Sequence, residues 1–190
     1  MREAIAPRDG VEPSLEAAEL ESAKRRTTRR MAAGSGLGSW HAGAYDRIVR
    51  RKLSAYQEVV EIRSSGRGFT NVTRAVQAVV AKSGLKTALC TVFIQHTSAS
   101  LVIQENADPN VLRDLGEWLA ELAPESRPWI HDDEGPDDMP AHARSAVTKT
   151  SETIPVTAGR LALGTWQALY VFEHRARPHT RTLVVHISGD

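Results

Sequence analysis

The stretch 161–173, Leu-Ala-Leu-Gly-Thr-Trp-Gln-Ala-Leu-Tyr-Val-Phe-Glu, limits what this chain can fold into more than any other. At a period of two, Leu163, Thr165, Gln167, Leu169 and Val171 share one face, and Gly164, Trp166, Ala168, Tyr170 and Phe172 share the other. Both faces are mostly apolar. A strand with one side in water carries one polar face, so the pattern predicts a central strand covered on both sides. Further strand-like runs lie at 55–63, 87–95, 99–104, 152–156 and 180–188, and the run at 99–104 reads as the neighbour of 87–95.

Helical patterns are fewer. Gly66-Arg67-Gly68 breaks the first strand. Thr70 or Asn71 then caps a helix whose Val72, Val76, Val79 and Val80 share a face, and Gly84 closes it. Asp108-Pro109 is a helix start, a capping carboxylate followed by proline at the first helical position. Val111, Leu115, Trp118, Leu119 and Leu122 follow as one apolar stripe, which Pro124 and Pro128 end. A short helix is expected over 140–148, starting near Asp138. Strands outnumber helices and do not alternate with them as βαβ units. The fold class is therefore α+β, a compact β-sandwich-like sheet core with two or three helices.

Charge separates the chain into two parts. Residues 1–52 carry 11 basic and 7 acidic side chains, a net +4, while residues 53–190 carry 13 basic and 16 acidic, a net −3. The first part is poor in aliphatics and contains the linker-like Gly34-Ser-Gly-Leu-Gly-Ser39, so it reads as a disordered or loosely structured basic extension. Residues 53–190 read as a single domain. Its negative balance argues against nucleic acid as a partner. No run reaches membrane-spanning length and no signal pattern opens the chain, so a cytoplasmic protein without a membrane partner is expected. The lone Cys90 cannot form an intrachain disulfide and lies in an apolar run, where a buried, inert thiol is expected.

Residues 131–142 have a composition that hydrophobic packing does not explain: two histidines, four aspartates, one glutamate, one glycine and two prolines among twelve residues. Imidazoles and carboxylates this close suit a metal or a proton-transfer site. Asp138 and His142 share a face if helix begins that early, and His131 and Glu134 lie within one turn's reach. The metal reading takes His131 and His142 with Glu134 or Asp138; the alternative is a solvated acidic loop with Asp138 as helix cap. The spacing is not HExxH or CxxC and names no metal.

A second polar run precedes it. His96 lies where a strand ends, and Thr97, Ser98 and Ser100 offer hydroxyls and backbone N–H groups to an anion, or simply make a hydrogen-bonded turn. Asn106 has no capping duty and can orient a ligand, whereas Asp108 has a full explanation as helix cap. Gln167, expected mid-strand on an apolar face, either bonds neighbouring backbone or faces the site. Arg177 and Arg181 either grip a phosphate or are solvated hairpin arginines. His174, His179 and His186 read as surface or strand histidines. No GxSxG elbow accompanies Ser98 or Ser100, and no Walker or Rossmann glycine pattern occurs.

Four ordered blocks carry a resemblance: HTSASLVIQENADPNVLRDL from His96, HDDEGPDDMPAHARSAV from His131, IPVTAGRLALGTWQALYVFEHR from Ile154 and RTLVVHISGD from Arg181. Together they resemble the YjbQ-type family, whose members are described as secondary thiamine-phosphate synthases and often as uncharacterised. The resemblance covers about residues 53–190. It implies a homotrimer with sites near subunit contacts and a weak, secondary coupling of hydroxymethylpyrimidine diphosphate to a thiazole phosphate. Carried over residue by residue, it implies catalytic roles for His96, Glu134 and His142. It implies contacts to a small phosphorylated molecule from Thr97, Ser98, Asn106, Asp108, Gln167 and Arg181. Metal ligation falls to His96, His131, His142 and Glu134, with Asp138 added from this chain's own residues, since relatives usually read Asp-Asn where it has Asp137-Asp138. A diphosphate leaving group calls for Mg²⁺ on carboxylates, whereas three imidazoles suit Zn²⁺ better, so a divalent metal is expected without its identity. The alternative is a trimeric metal- or small-ligand-binding protein without this turnover.

Overall fold

The computed structural model describes residues 54–190; the expected basic extension at 1–52 lies outside them. In chain order the elements are β1 (Ser54–Arg63), β2 (Gly68–Asn71), α1 (Thr73–Ser83), β3 (Thr87–Ile94), β4 (Ala99–Glu105), α2 (Pro109–Leu122), α3 (Asp138–Ala146), β5 (Ser151–Thr157), β6 (Arg160–Leu161), β7 (Gln167–Glu173) and β8 (Thr180–Gly189). They form two antiparallel sheets, one in the order β1-β8-β3-β5-β6 and the other β2-β7-β4. The described residues form an α+β fold, with three helices on a two-sheet core. Among the described residues no helix is long and apolar enough to cross a membrane.

The twice-apolar strand is central, but shorter than its pattern. Within 161–173, Leu161 ends the β5–β6 hairpin and the chain turns at Gly164–Gln167 before β7 begins. Gln167 makes that turn: its N–H donates to the Gly164 carbonyl at 2.9 Å, and its Oε1 accepts the Gly164 N–H at 2.9 Å. It is an exposed residue at the strand's start, not a buried amide mid-strand. From Ala168 to Glu173 every residue of β7 is buried. Leu169 and Val171 join the core between the sheets, with Val76, Val79 and Val80 of α1 and with Cys90, Val92, Leu183, Val185 and Ile187. On the opposite face, Phe172 stacks on Phe69 at 3.9 Å between ring centres.

Three local expectations are corrected. β4 does not pair with β3; it pairs with β7, so residues 95–98 carry the chain from one sheet to the other. Thr70 is a strand residue of β2 opposite Val171, and Asn71 alone serves α1, its Oδ1 accepting the Thr73 N–H at 3.0 Å. The stripe of α2 is rotated from the expected one. Leu119 is buried, but Trp118 and Leu122 stay 58% and 55% exposed. The helix instead turns Gly116 toward β2, where a Cβ would already touch the Phe69 ring at 3.8 Å. Asp108 caps this helix, accepting the Asn110 N–H at 2.8 Å.

Candidate metal centre

The end of β7, the start of β8, the 95–98 crossover and the first turn of α3 meet at one place. There His131 Nε2 lies 2.9 Å and His142 Nε2 3.3 Å from the same oxygen, Oδ2 of Asp138. Three ligand-type atoms fall within 4.8 Å of one another. Asp138 is 2% exposed, while both histidines keep an open edge. Donors around a tetrahedral ion at about 2.0–2.2 Å are separated by roughly 3.3 Å, so this spacing is one a small cation can occupy.

Asp138 does not cap α3. Its second oxygen, Oδ1, is held by Arg175 Nη1. Arg175 also donates Nε to Asp137 Oδ2 at 3.2 Å and Nη2 to the Glu134 carbonyl at 2.9 Å. Burial works to raise the Asp137 pKa, but the Ala176 N–H and the Arg175 guanidinium outweigh it and leave the carboxyl below its usual range. Arg175 thus orients the carboxylate that both imidazoles face, the arrangement that tunes a ligand from behind.

The His142 ring is fixed from its other side. Its Nδ1 lies 3.1 Å from the Thr97 carbonyl. A carbonyl only accepts, so Nδ1 carries a proton and, in the neutral ring, Nε2 presents a bare lone pair to a carboxylate oxygen. Two lone pairs meeting at that distance require a positive charge between them, a proton or a metal ion.

Beneath the crossover is a buried ion pair. Arg181 grips Glu173 through Nη2 at 2.6 Å and Nε at 2.7 Å, and neither side chain is more than 2% exposed. Burial pushes the Glu173 pKa up, but Arg181, the Arg175 N–H and Ser64 Oγ bring it below the ordinary carboxylate value. Arg181 Nη2 also reaches Ser98 Oγ at 3.4 Å. Ser98 in turn holds His96, its N–H 3.0 Å and its Oγ 3.1 Å from His96 Nδ1. Desolvation first, and then the Arg181 charge, hold His96 below the usual histidine range.

The remaining expected residues are placed as follows. Glu134 is exposed and outside the three-atom group; it lines an adjoining cavity of about 410 Å³ with Arg175, Arg177 and His179. His96 is also outside the group. Thr97 contributes its carbonyl, and Arg181 is committed to Glu173 rather than open to a phosphate. Asn106 and Gln167 lie at the other end of β7, in a separate cleft of about 510 Å³ with Arg74 and Arg160. Register places Gln167 opposite Glu105 and Glu173 opposite Ala99, so the two ends are about 20 Å apart. Asp108 stays with its helix cap there and is not brought to the cluster.

His174 is neither a surface histidine nor a ligand. It is fully buried, its Nε2 lies 2.9 Å from Ser100 Oγ, and its Nδ1 has no partner among the described residues. Burial pushes its pKa down to about 3, with the Arg144 charge acting in the same direction. Arg144, also buried, donates to the carbonyls of Leu119, Ala123 and His174 and so closes the end of α2. Sequence reasoning does not single out Arg144, Glu173 or Arg175, and it reads His174 as a surface or strand histidine. The one signal is Glu173-His174-Arg175 directly after the apolar run Ala168–Phe172, since charges continuing a buried run need partners.

The fold and the cluster define a class: two-sheet α+β proteins carrying a two-histidine, one-carboxylate group on a short helix and its preceding loop. The chain belongs to the YjbQ-like UPF0047 protein family, whose profile matches residues 58–190. It is 57% identical over 136 residues to the UPF0047 protein sll1880 of Synechocystis, covering 71% of this chain and 92% of that one. It is 35% identical over 136 residues to the UPF0047 protein YjbQ of Escherichia coli O157:H7, covering 71% and 99%. Among solved structures, a protein of unknown function from Sulfolobus solfataricus superposes with a TM-score of 0.68 at 25% identity, covering 73% of this chain and all of that one. The conserved hypothetical protein TT1486 of Thermus thermophilus gives 0.60 at 37% identity, covering 67% and 97%.

Proposed function

We propose that this protein binds a divalent metal through His131 Nε2, Asp138 Oδ2 and His142 Nε2, and holds a small phosphorylated molecule beside it. The observation that carries this reading is His142: with Nδ1 held by the Thr97 carbonyl at 3.1 Å, Nε2 faces a carboxylate oxygen at 3.3 Å, a gap that a metal ion or a proton fills. Two imidazoles and one carboxylate suit Zn²⁺ or a similar borderline ion rather than Mg²⁺, which prefers oxygen ligands. A cation there supplies charge neutralisation to a phosphate oxygen. The adjoining cavity, lined by Arg177 and His179 but also by Glu125, Glu134 and Asp137, gives room for the rest of the molecule.

The finer reading is a secondary thiamine-phosphate synthase, joining hydroxymethylpyrimidine diphosphate to a thiazole phosphate. It rests on the family resemblance. In it Glu134 and His142 act on the reacting molecules, with Thr97 and Ser98 lining the approach. One observation favours the other reading, a metal- or ligand-binding protein without turnover. Arg181, the expected phosphate grip, is engaged twice by Glu173. We place the protein in the cytoplasm, since its single cysteine needs no oxidising compartment. Assembly as a homotrimer is supported by an open apolar row on the five-stranded sheet, where Val59 and Phe93 flank Val184.

The test combines metal analysis of the purified full-length protein, Zn²⁺ titration and a thiamine-phosphate formation assay, on wild type, Glu134→Ala and His142→Ala. Zinc bound by wild type and not by His142→Ala supports the centre. Product that both variants lose supports the synthase. Metal without product favours the binding protein, and neither metal nor product refutes both readings.

A further inference from the structure

A single turn sets two imidazoles in opposite senses. Thr97 offers its carbonyl to His142 Nδ1 at 3.1 Å, and the next residue, Ser98, offers its N–H to His96 Nδ1 at 3.0 Å. A carbonyl only accepts and an amide N–H only donates. His142 therefore carries a proton on Nδ1, and its Nε2 is left to a metal ion or to a second proton shared with Asp138. Neutral His96 is the reverse: Nδ1 is occupied as an acceptor, and the proton sits on Nε2. The frame behind His96 is rigid. Ser98 is buried, its Oγ lies 3.1 Å from His96 Nδ1, and Arg181, pinned by Glu173, reaches that Oγ at 3.4 Å.

A metal ligand needs a bare nitrogen. His96 Nδ1 is taken and Nε2 is protonated, in keeping with its place outside the three-atom group. Yet His142 lies close enough for its charge to weigh on His96. The His96 ring is exposed, and its Nε2–H has no acceptor among the described residues.

Charge balance says what such a donor is for. A divalent ion on Asp138 leaves one positive charge. The Arg175–Asp137 and Arg181–Glu173 pairs each cancel, the exposed Glu134 carboxylate 3.7 Å from Arg175 is offset by Arg177 in the same cavity wall, and both histidines of the cluster are neutral as ligands. The complement is an anionic oxygen. We infer that His96 is the hydrogen-bond donor of this site, binding a phosphate or carboxylate oxygen of the ligand through Nε2–H, and that it is not a fourth metal ligand. The inference rests on the metal reading above and assigns the ligand's anionic end to the 95–98 turn.

Two measurements test it. Nitrogen-15 NMR of histidine side chains in the metal-free, full-length protein reads the tautomers. His96 is expected with its proton on Nε2 and His142 with its proton on Nδ1. On adding Zn²⁺, the Nε2 resonances of His131 and His142 move while His96 keeps its tautomer. A His96 protonated on Nδ1, or one that loses its Nε2 proton to zinc, overturns the inference. Calorimetry then follows Zn²⁺ alone and inorganic phosphate on the zinc-loaded protein. His96→Ala is expected to keep zinc affinity within about twofold and to weaken phosphate about tenfold or more, the loss of one hydrogen bond to a charged acceptor. His96→Gln, whose amide N–H reaches a similar point, regains part of it. Zinc lost from His96→Ala as fully as from His142→Ala, or phosphate binding unchanged in His96→Ala, refutes the assignment. If wild type takes up no zinc, the metal reading falls by itself. His96 is then judged by its tautomer and by phosphate titration of the metal-free protein.

Discussion

Arg175 holds Asp138 by one carboxylate oxygen and leaves the other, Oδ2, to His131 and His142. The division of labour fixes which lone pairs point into the cluster. Arg175→Ala frees the carboxylate to rotate and leaves Asp137 without its guanidinium. Zinc affinity is expected to fall by about 10- to 100-fold, the usual cost of removing a partner behind a ligand. Arg175→Lys, a point charge without the planar fork, is expected to restore only part of it. Asp138→Asn keeps the shape but removes the ligand charge, and is expected to abolish zinc binding at micromolar protein. Calorimetric titration of the three variants checks the order.

Arg144 makes a prediction about stability alone. Its guanidinium donates to the carbonyls of Leu119, Ala123 and His174, all in buried surroundings. Removing it strands those acceptors, and each lost bond to a charged donor matters more than a neutral one. Arg144→Ala is expected to cost on the order of 3 kcal/mol, and Arg144→Lys more than half of that, since an ammonium cannot span three carbonyls. Urea denaturation gives the values. A cost below about 1 kcal/mol would show that water reaches the end of α2.

What was legible in the sequence was what local periodicity and capping determine. The Asp108-Pro109 start of α2, the Gly84 end of α1 and the central, twice-covered β7 follow from short-range chemistry. The pairing of β4 with β7 rather than β3 is a non-local choice, and no period along residues 87–105 encodes it. The site divides the same way. The composition of residues 131–142 reveals His131, Asp138 and His142, because polar density without a packing role is visible in one dimension. Arg175, 37 residues beyond Asp138, is not, because its partner is met only once β7 and α3 are assembled. Gln167 and Asn106 lie away from the cluster, and nothing in the chain announces which end of a strand a residue will occupy.

The exposed row on the five-stranded sheet bears on assembly. Val59 is 57% and Phe93 44% exposed, and both flank Val184 in register. If copies of the chain associate through this face, Phe93→Glu places a charge in the contact and is expected to turn a trimer into monomers. Light scattering coupled to size exclusion measures this directly. Unchanged mass for Phe93→Glu, with wild type trimeric, would move the interface elsewhere.

His174 sets the acid limit of the fold. Its folded pKa lies at about 3 because burial penalises the imidazolium, whereas an unfolded histidine titrates near 6.5. Above about pH 6.5 the ring is neutral in both states and has no effect. As pH falls below that value the unfolded chain takes up a proton that the folded chain refuses, so stability drops through the window from about 6.5 to 3. At about 1.4 kcal/mol per unit, the full window amounts to on the order of 5 kcal/mol. Glu173 and Asp137, whose carboxyls are held low, lose their contributions in the same direction at the acid end. A variant separates the terms. His174→Gln keeps an amide for Ser100 and cannot titrate, so its stability is expected to be lower than wild type at pH 7.5 yet flatter with pH between 6 and 4. Chemical denaturation at half-unit pH steps reads both curves. Parallel slopes for the two proteins over that range would mean that His174 is protonated in the folded state and that Ser100 or solvent meets its second nitrogen.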